Sequence, residues 1–166
     1  RLSTQLLAHA NADRLNVLPI DPINISYLIM DVVFRMEPLA QQAGIDLGCE
    51  GCEEALSVIA DPDAISIALI NLIENAIEHS TAGSSVTVQL LAAPLRIAVV
   101  DQGVGVAQDK LAKITMRFTR VGHGRGHGAG LGLSIVEQIM RAHGGRLLLT
   151  RNDGAGLTAT LEFAGA

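Results

Sequence analysis

At 166 residues, of which 49% are apolar and only 17% charged, the chain carries enough apolar mass for one buried core and too little charge for a disordered segment. A formal net charge of −5 excludes binding to a phosphate backbone as its main task, since that takes a basic surface, so nucleic acid is not an expected partner. No apolar run of about 18 residues or more is present to cross a bilayer, and the N-terminus lacks the pattern of a signal peptide; the chain as it stands is expected to be soluble. It opens on Arg1 and not Met, the mark of a piece of something longer, and a membrane span elsewhere in the parent stays open.

In chain order, Leu2, Leu6, Leu7 and Ala10 recur at helical spacing, and Pro19 and Pro22 then close that helix off. Ser26 is the expected N-cap of a helix to about Ala43, with Leu28, Ile29, Val32, Val33, Met36 and Leu39 as its apolar stripe and Gly44 as its stop. Two short strands follow, from Ile45 to Cys49 and from Leu56 to Ala60. Asp61 and Pro62 cap and open a helix to about Ser80, proline being favoured at the first helical position. Val86 to Leu91 and Leu95 to Asp101 form a hairpin, and the stretch from Gly103 to Ala129 is irregular and rich in glycine. Leu131 to His143 is the last helix, stopped by Gly144 and Gly145, and Arg146 to Thr150 and Leu157 to Phe163 are closing strands. Strands and helices in segregated blocks favour an α+β fold, a two-layer sandwich with helices on one face of a mixed sheet. Cys49 and Cys52 lack the two further ligands of a structural zinc site and read as ordinary loop cysteines in a reducing compartment.

Three constellations carry chemistry. Asn71, Asn75 and Glu78, at i, i+4 and i+7, share one face of their helix. A solvated surface is the ordinary reading of such a face, but asparagine costs about 0.5 kcal/mol or more against alanine in a helix interior, and two in one stripe call for a reason. An amide oxygen is a hard, neutral ligand suited to Mg²⁺. The second constellation is an apolar strand that runs into Asp101, followed by Gly103 and Gly105; a carboxylate there can accept hydrogen bonds from a ligand inserted against the sheet, although the same string is also a common turn. The third is Gly126, Gly128, Gly130 and Gly132, which open the last helix. Exposed N–H groups at a helix N-terminus make an anion cradle, suited to phosphate. Neither a Walker A loop nor a dinucleotide fingerprint fits these residues.

Taken in order, these segments resemble the boxes of the ATP-binding catalytic domain of sensor histidine kinases, which shares a superfamily with gyrase, a heat-shock chaperone and mismatch-repair ATPases. Asn71 to His79 resembles the N box, Asp101 to Gly105 the first glycine box, Ile114 to Arg120 the F box, and Gly128 to Leu133 the second glycine box. The resemblance covers about residues 23 to 163. It implies a Bergerat-type fold, a mixed sheet of about five strands with three main helices on one face. It divides the chain into residues 1–22, the end of a preceding phosphotransfer-domain helix plus linker, and residues 23–166, the catalytic domain.

The resemblance further implies ATP and Mg²⁺ as cofactors, with Asn75 on the metal, Asn71 assisting, and Asp101 accepting the adenine amino group. Glu78, His79, Gly103, Gly105, Val106, Phe118, Arg120, Gly128, Ala129, Gly130, Leu131, Gly132 and Leu133 complete the implied nucleotide site. The segment from Gly126 to Gly132 would hinge a lid over the phosphates, and Arg117 and Arg125 are further candidate phosphate contacts. His123 and His127 read as solvated loop residues. Two departures stand out: Glu78 replaces a lysine common in the family, and Thr115 replaces the usual phenylalanine.

Related ATPases place a water-activating glutamate where this chain has Asn71, which implies slow hydrolysis, while Glu74 is a candidate to polarise an acceptor. None of His9, His79, His123, His127 and His143 stands in an acceptor-histidine motif. The implied partners are the phosphotransfer domain of the parent kinase, itself a homodimer, and a downstream response regulator, in the cytoplasm with the parent anchored in the inner membrane. The rival readings are a serine kinase of the anti-sigma-factor type and a nucleotide-binding regulatory module.

Overall fold

The computed structural model describes residues 21–103, 105, 132–152 and 156–164. The expected segment from Leu2 to Ala10 lies outside them. The first element is a strand that sequence patterning did not reveal, β1 (Asp21–Asn24), which leads directly into α1 (Ile25–Ala43). Helix α1 is capped by Asn24, whose side chain accepts from the Tyr27 N–H at 3.0 Å, and not by Ser26 as expected. Ser26 lies inside the helix and is buried: its hydroxyl donates to the Glu54 carbonyl and accepts from the Leu56 N–H. Both residues have capping chemistry; what separates them is that Ser26 is needed to hold the loop before the next strand. Gly44, at φ 70°, ends the helix, and its N–H returns to the carbonyls of Ala40 and Gln41.

Strands β2 (Asp46–Glu50) and β3 (Ser57–Ala60) follow, then α2 (Pro62–His79). The start of α2 is the expected one: Asp61 accepts from the N–H groups of Asp63 and Ala64, and Pro62 stands in the first turn, where its missing N–H costs nothing. The hairpin β4 (Ser85–Ala92) and β5 (Leu95–Asp101) comes next; α3 (Gly132–Ala142), β6 (Arg146–Arg151) and β7 (Leu157–Glu162) complete the described chain.

The main sheet has five strands in the order β2-β4-β5-β7-β6, with β2 and β4 parallel and every other pair antiparallel. Strand β3 does not join it; it pairs with β1 in a separate antiparallel ribbon. The architecture is therefore the expected α+β sandwich, a mixed five-stranded sheet with three helices. Alternation in β4 and β7 buries Val86, Val88, Ala159 and Leu161 against Ile65, Leu69, Leu72 and Ile73 of α2 and Val136 and Met140 of α3. Each fully buried aliphatic side chain here contributes about 1.5–3 kcal/mol, so α2 is the spine on which the site is mounted. Cys49 and Cys52 are not a loop pair. Cys49 lies in β2 and Cys52 is buried at the edge of the core.

Candidate nucleotide-binding site

Three element ends converge: the C-terminal half of α2, the C-terminal end of β5 and the N-terminus of α3. Asn71, Glu74 and Asn75 are half-buried along α2, while Glu78 and His79 at its end are exposed. The Asn71 amide donates from Nδ2 to the Ile67 carbonyl one turn back, at 2.8 Å, which fixes the side chain and aims its oxygen elsewhere. That Oδ1 faces α3: a Cβ added to Gly132 would lie 3.1 Å from it. The first residue of α3 is thus held against the middle of α2 with no room to spare.

Asp101, the last residue of β5, is buried at 4% exposure. Its Oδ1 accepts from the N–H groups of Gly103 at 2.9 Å and Leu157 at 3.1 Å, and among the described residues both hydrogen bonds to the carboxylate fall on that one oxygen. Burial pushes the carboxyl above its ordinary pKa, against the pull of those two N–H groups and of nearby His79. Gly103 is also pressed on the end of α2, where a Cβ would overlap the His79 carbonyl. Gly105, at φ 68°, turns the chain beside Gly156. The arrangement presents a buried carboxylate, a line of amide side chains and a helix N-terminus around one edge of the sandwich.

Of the residues expected in the site, the structure brings together Asn71, His79, Asp101, Gly103 and Gly132, with Glu74, Asn75 and Glu78 on the same helix and Leu133 half-buried in α3. Val106, Phe118, Arg120, Gly128, Ala129, Gly130 and Leu131 lie outside the described residues, as do Thr115, Arg117, His123, Arg125, His127 and the rest of the expected lid. Sequence reading missed the support beneath Asp101. Asn152 donates from Nδ2 to the Asp101 carbonyl at 2.8 Å, and Thr158 in turn bonds the Asn152 oxygen. Gly156, at φ 103°, approaches the Asp101 carbonyl so closely that a Cβ would overlap it. The only trace of this in the sequence is Asn152 and a glycine-containing turn between two closing strands.

Residues 60–165 match the protein family described as histidine kinase-, DNA gyrase B-, and HSP90-like ATPase. The chain belongs to this family. Sensor protein QseC of Escherichia coli is 33% identical over 164 residues, which cover 98% of this chain and 36% of QseC. The chain spans little more than a third of the length of the curated relatives it matches. Among solved structures, the catalytic domain of histidine kinase ThkA superimposes with a TM-score of 0.76 at 28% identity, covering 88% of this chain and 95% of that one. Full-length ShkA in complex with AMPPNP gives a TM-score of 0.79 at 27% identity, covering 99% of this chain and 37% of that one. The fold and sequence are those of the ATPase catalytic domain of sensor histidine kinases. Among the described residues, no helix is long and apolar enough to cross a membrane.

Proposed function

We propose that this chain binds Mg²⁺-ATP and donates the γ-phosphate to a histidine on the phosphotransfer domain of a two-component sensor kinase. The observation that carries the proposal is the convergence of buried Asp101, the amide face of α2 and the glycine start of α3 on one edge of an ATPase-family fold. ShkA holding AMPPNP, an ATP analogue, supports the choice of nucleotide.

In this reading the Asp101 carboxylate accepts from the adenine amino group, which guanine lacks at that place. The N-terminus of α3 receives phosphate oxygens on its N–H groups. Among the described residues no cluster of three His, Cys, Asp or Glu side chains is ready for a metal. A cation here would take amide oxygens, Asn75 with Asn71 assisting, together with the phosphates of its own substrate, the donor set that Mg²⁺ accepts. Bound there, Mg²⁺ supplies neutralisation of charge on the transferring phosphate. Asn71 cannot act as a base, so water is poorly activated and hydrolysis is slow, whereas a neutral imidazole needs only positioning. Glu74, beside Asn75, is the residue that would polarise that imidazole.

Residues 1–22 are the end of the phosphotransfer helix and its linker in this reading, and residues 23–166 the catalytic domain. The parent is a homodimer anchored in the inner membrane with this domain in the cytoplasm, and a response regulator takes the phosphate onward. Calorimetric titration tests the nucleotide half of the proposal: ATP and ADP should bind with Mg²⁺ far more tightly than GTP. Asn75→Ala should abolish Mg²⁺-dependent binding. Equal affinity for ATP and GTP in the unaltered chain would sink the role given to Asp101.

A further inference from the structure

The two cysteines of the chain have no part in nucleotide binding, yet the fold sets them together. In β2 the residues Gly48 and Glu50 are exposed, while Leu47 and Cys49 turn inward and pack against the core to which Cys52 belongs. Both cysteine side chains therefore face the same core. Between them Gly51, at φ 75°, turns the chain, pressed so close to β4 that a Cβ would overlap the Leu90 carbonyl. The Cys52 thiol folds back toward the strand just left, its Sγ 3.9 Å from the Glu50 carbonyl, and the Cys49 thiol stands beside it. Neither end of this segment is free to drift. Before it, Glu50 is in register with Gln89, whose Nε2 donates to the Glu50 carboxylate at 3.0 Å. After it, the Ser26 hydroxyl bonds the Glu54 carbonyl and the Leu56 N–H. Among the described residues no group of three His, Cys, Asp or Glu side chains could hold a metal, so a zinc site does not account for the pair.

We propose that Cys49 and Cys52 form a site of reversible oxidation, which closes an intramolecular disulfide by exchange with a low-molecular-weight disulfide. Cys49 is half-buried and Cys52 is buried, so Cys49 reacts first. Its thiolate attacks one sulfur of the small disulfide, forms a mixed disulfide and expels the first small thiolate. Cys52 is shielded from the reagent but lies beside the Cys49 sulfur. It gives up its proton, attacks that sulfur and expels the second small thiolate. Two electrons pass to the small disulfide, which ends as two thiols carrying the two protons that the cysteines lost. In a reducing compartment such a bond is transient and forms when the small-disulfide pool is oxidised. Because the fold already holds the two thiols side by side, closure is more favourable in the native chain than in the unfolded one. By linkage, the bond then stabilises the fold by the same factor.

Equilibration of the whole chain with mixtures of reduced and oxidised glutathione, native and in denaturant, tests the site. Free thiols are then trapped by alkylation and the products mapped by peptide mass. The expected product of the native chain is a Cys49–Cys52 bond within one chain, two hydrogens lighter than the dithiol, unchanged in yield on dilution and reversed by dithiothreitol. At equal glutathione, the ratio of disulfide to dithiol should be higher by about tenfold or more in the native chain than in denaturant, equivalent to about 1.4 kcal/mol. The denaturation midpoint of the oxidised chain should rise to match. Cys52→Ser should stop at one glutathione on Cys49. Should that variant fail to fold, Cys49→Ser gives the complementary reading, a native chain that takes up no glutathione. A native chain that holds glutathione on Cys49 and goes no further overturns the proposal. So does a dimer joined through Cys49, or a ratio no greater in the native chain than in denaturant. The readout involves no nucleotide, so the kinase reading and this one stand or fall separately.

Discussion

The Asn71 side-chain oxygen and Gly132 lie in contact across the junction of α2 and α3: a Cβ on Gly132 would come to 3.1 Å from that oxygen, while Asn71 Nδ2 is tied to the Ile67 carbonyl and cannot swing away freely. Gly132→Ala should therefore displace the amide that the proposed metal site uses. The expected result is a rise of about tenfold in the dissociation constant for Mg²⁺-ATP, equivalent to about 1.4 kcal/mol. The fold should change little, because the atoms a Cβ at position 132 would meet all belong to the one side chain of Asn71. Calorimetry beside thermal melting separates the two, and unchanged affinity would remove this contact from the site.

Asp101 gives a dependence on pH. Its carboxyl is raised by burial, so on acidification it gains its proton before an ordinary aspartate would. The ionised form is the one that burial penalises. In the free protein this group adds stability as pH falls through its raised value and withdraws it as pH rises. The proposed adenine recognition needs the ionised acceptor and runs the opposite way. The ratio of ATP to GTP affinity, in which the phosphate titrations cancel, should decline as pH is lowered into the range where this carboxyl gains its proton. Asp101→Asn should abolish most of the preference and flatten that profile; a ratio that holds constant in the unaltered chain would contradict the assignment.

His143 ties the far ends of two helices together. Its Nδ1 lies 2.8 Å from the Ile139 carbonyl, which can only accept, so Nδ1 carries the proton and Nε2 accepts the Asp61 N–H at 3.1 Å. His143→Ala leaves that N–H without its partner at the start of α2, at an expected cost of about 1–3 kcal/mol. The loss should appear as a lower denaturation midpoint with nucleotide selectivity intact. A variant as stable as the parent would show that water replaces the ring at no cost.

The two cysteines should differ in reactivity. Burial above all, with Cys49 and Glu53 adding to it, pushes the Cys52 thiol up to about 11. A thiol reagent at about pH 8 should modify one residue of the native chain, Cys49, and reach Cys52 only on denaturation. Two equal fast phases in the native protein would be inconsistent with this burial.

What could be read from the sequence was what is decided locally. Asp61 and Pro62 announce the start of α2 because both act on N–H groups within one turn. The shared face of Asn71 and Asn75 follows from helix geometry alone. The choice of Asn24 over Ser26 as the cap of α1 was not legible, since it depends on Ser26 holding the backbone at Glu54 and Leu56, 28 and 30 residues away. Strand β1, four residues with Pro22 in second place, has no alternation to read and exists through its pairing with β3. The seat of Asp101 depends on Asn152 and Leu157, 51 and 56 residues on, which no local pattern announces.

Phosphate transfer itself is the most direct test. The chain is incubated with γ-labelled ATP and Mg²⁺, alone and together with the proposed phosphotransfer segment. Alone, it should bind ATP, label itself not at all and release phosphate only slowly, since it holds Asn71 in place of a base and no acceptor motif. With the segment, label should appear on a histidine of that segment, lost in acid and retained in base as a phosphoramidate is. Label retained in acid on a serine, or rapid turnover by the chain alone, would contradict the account.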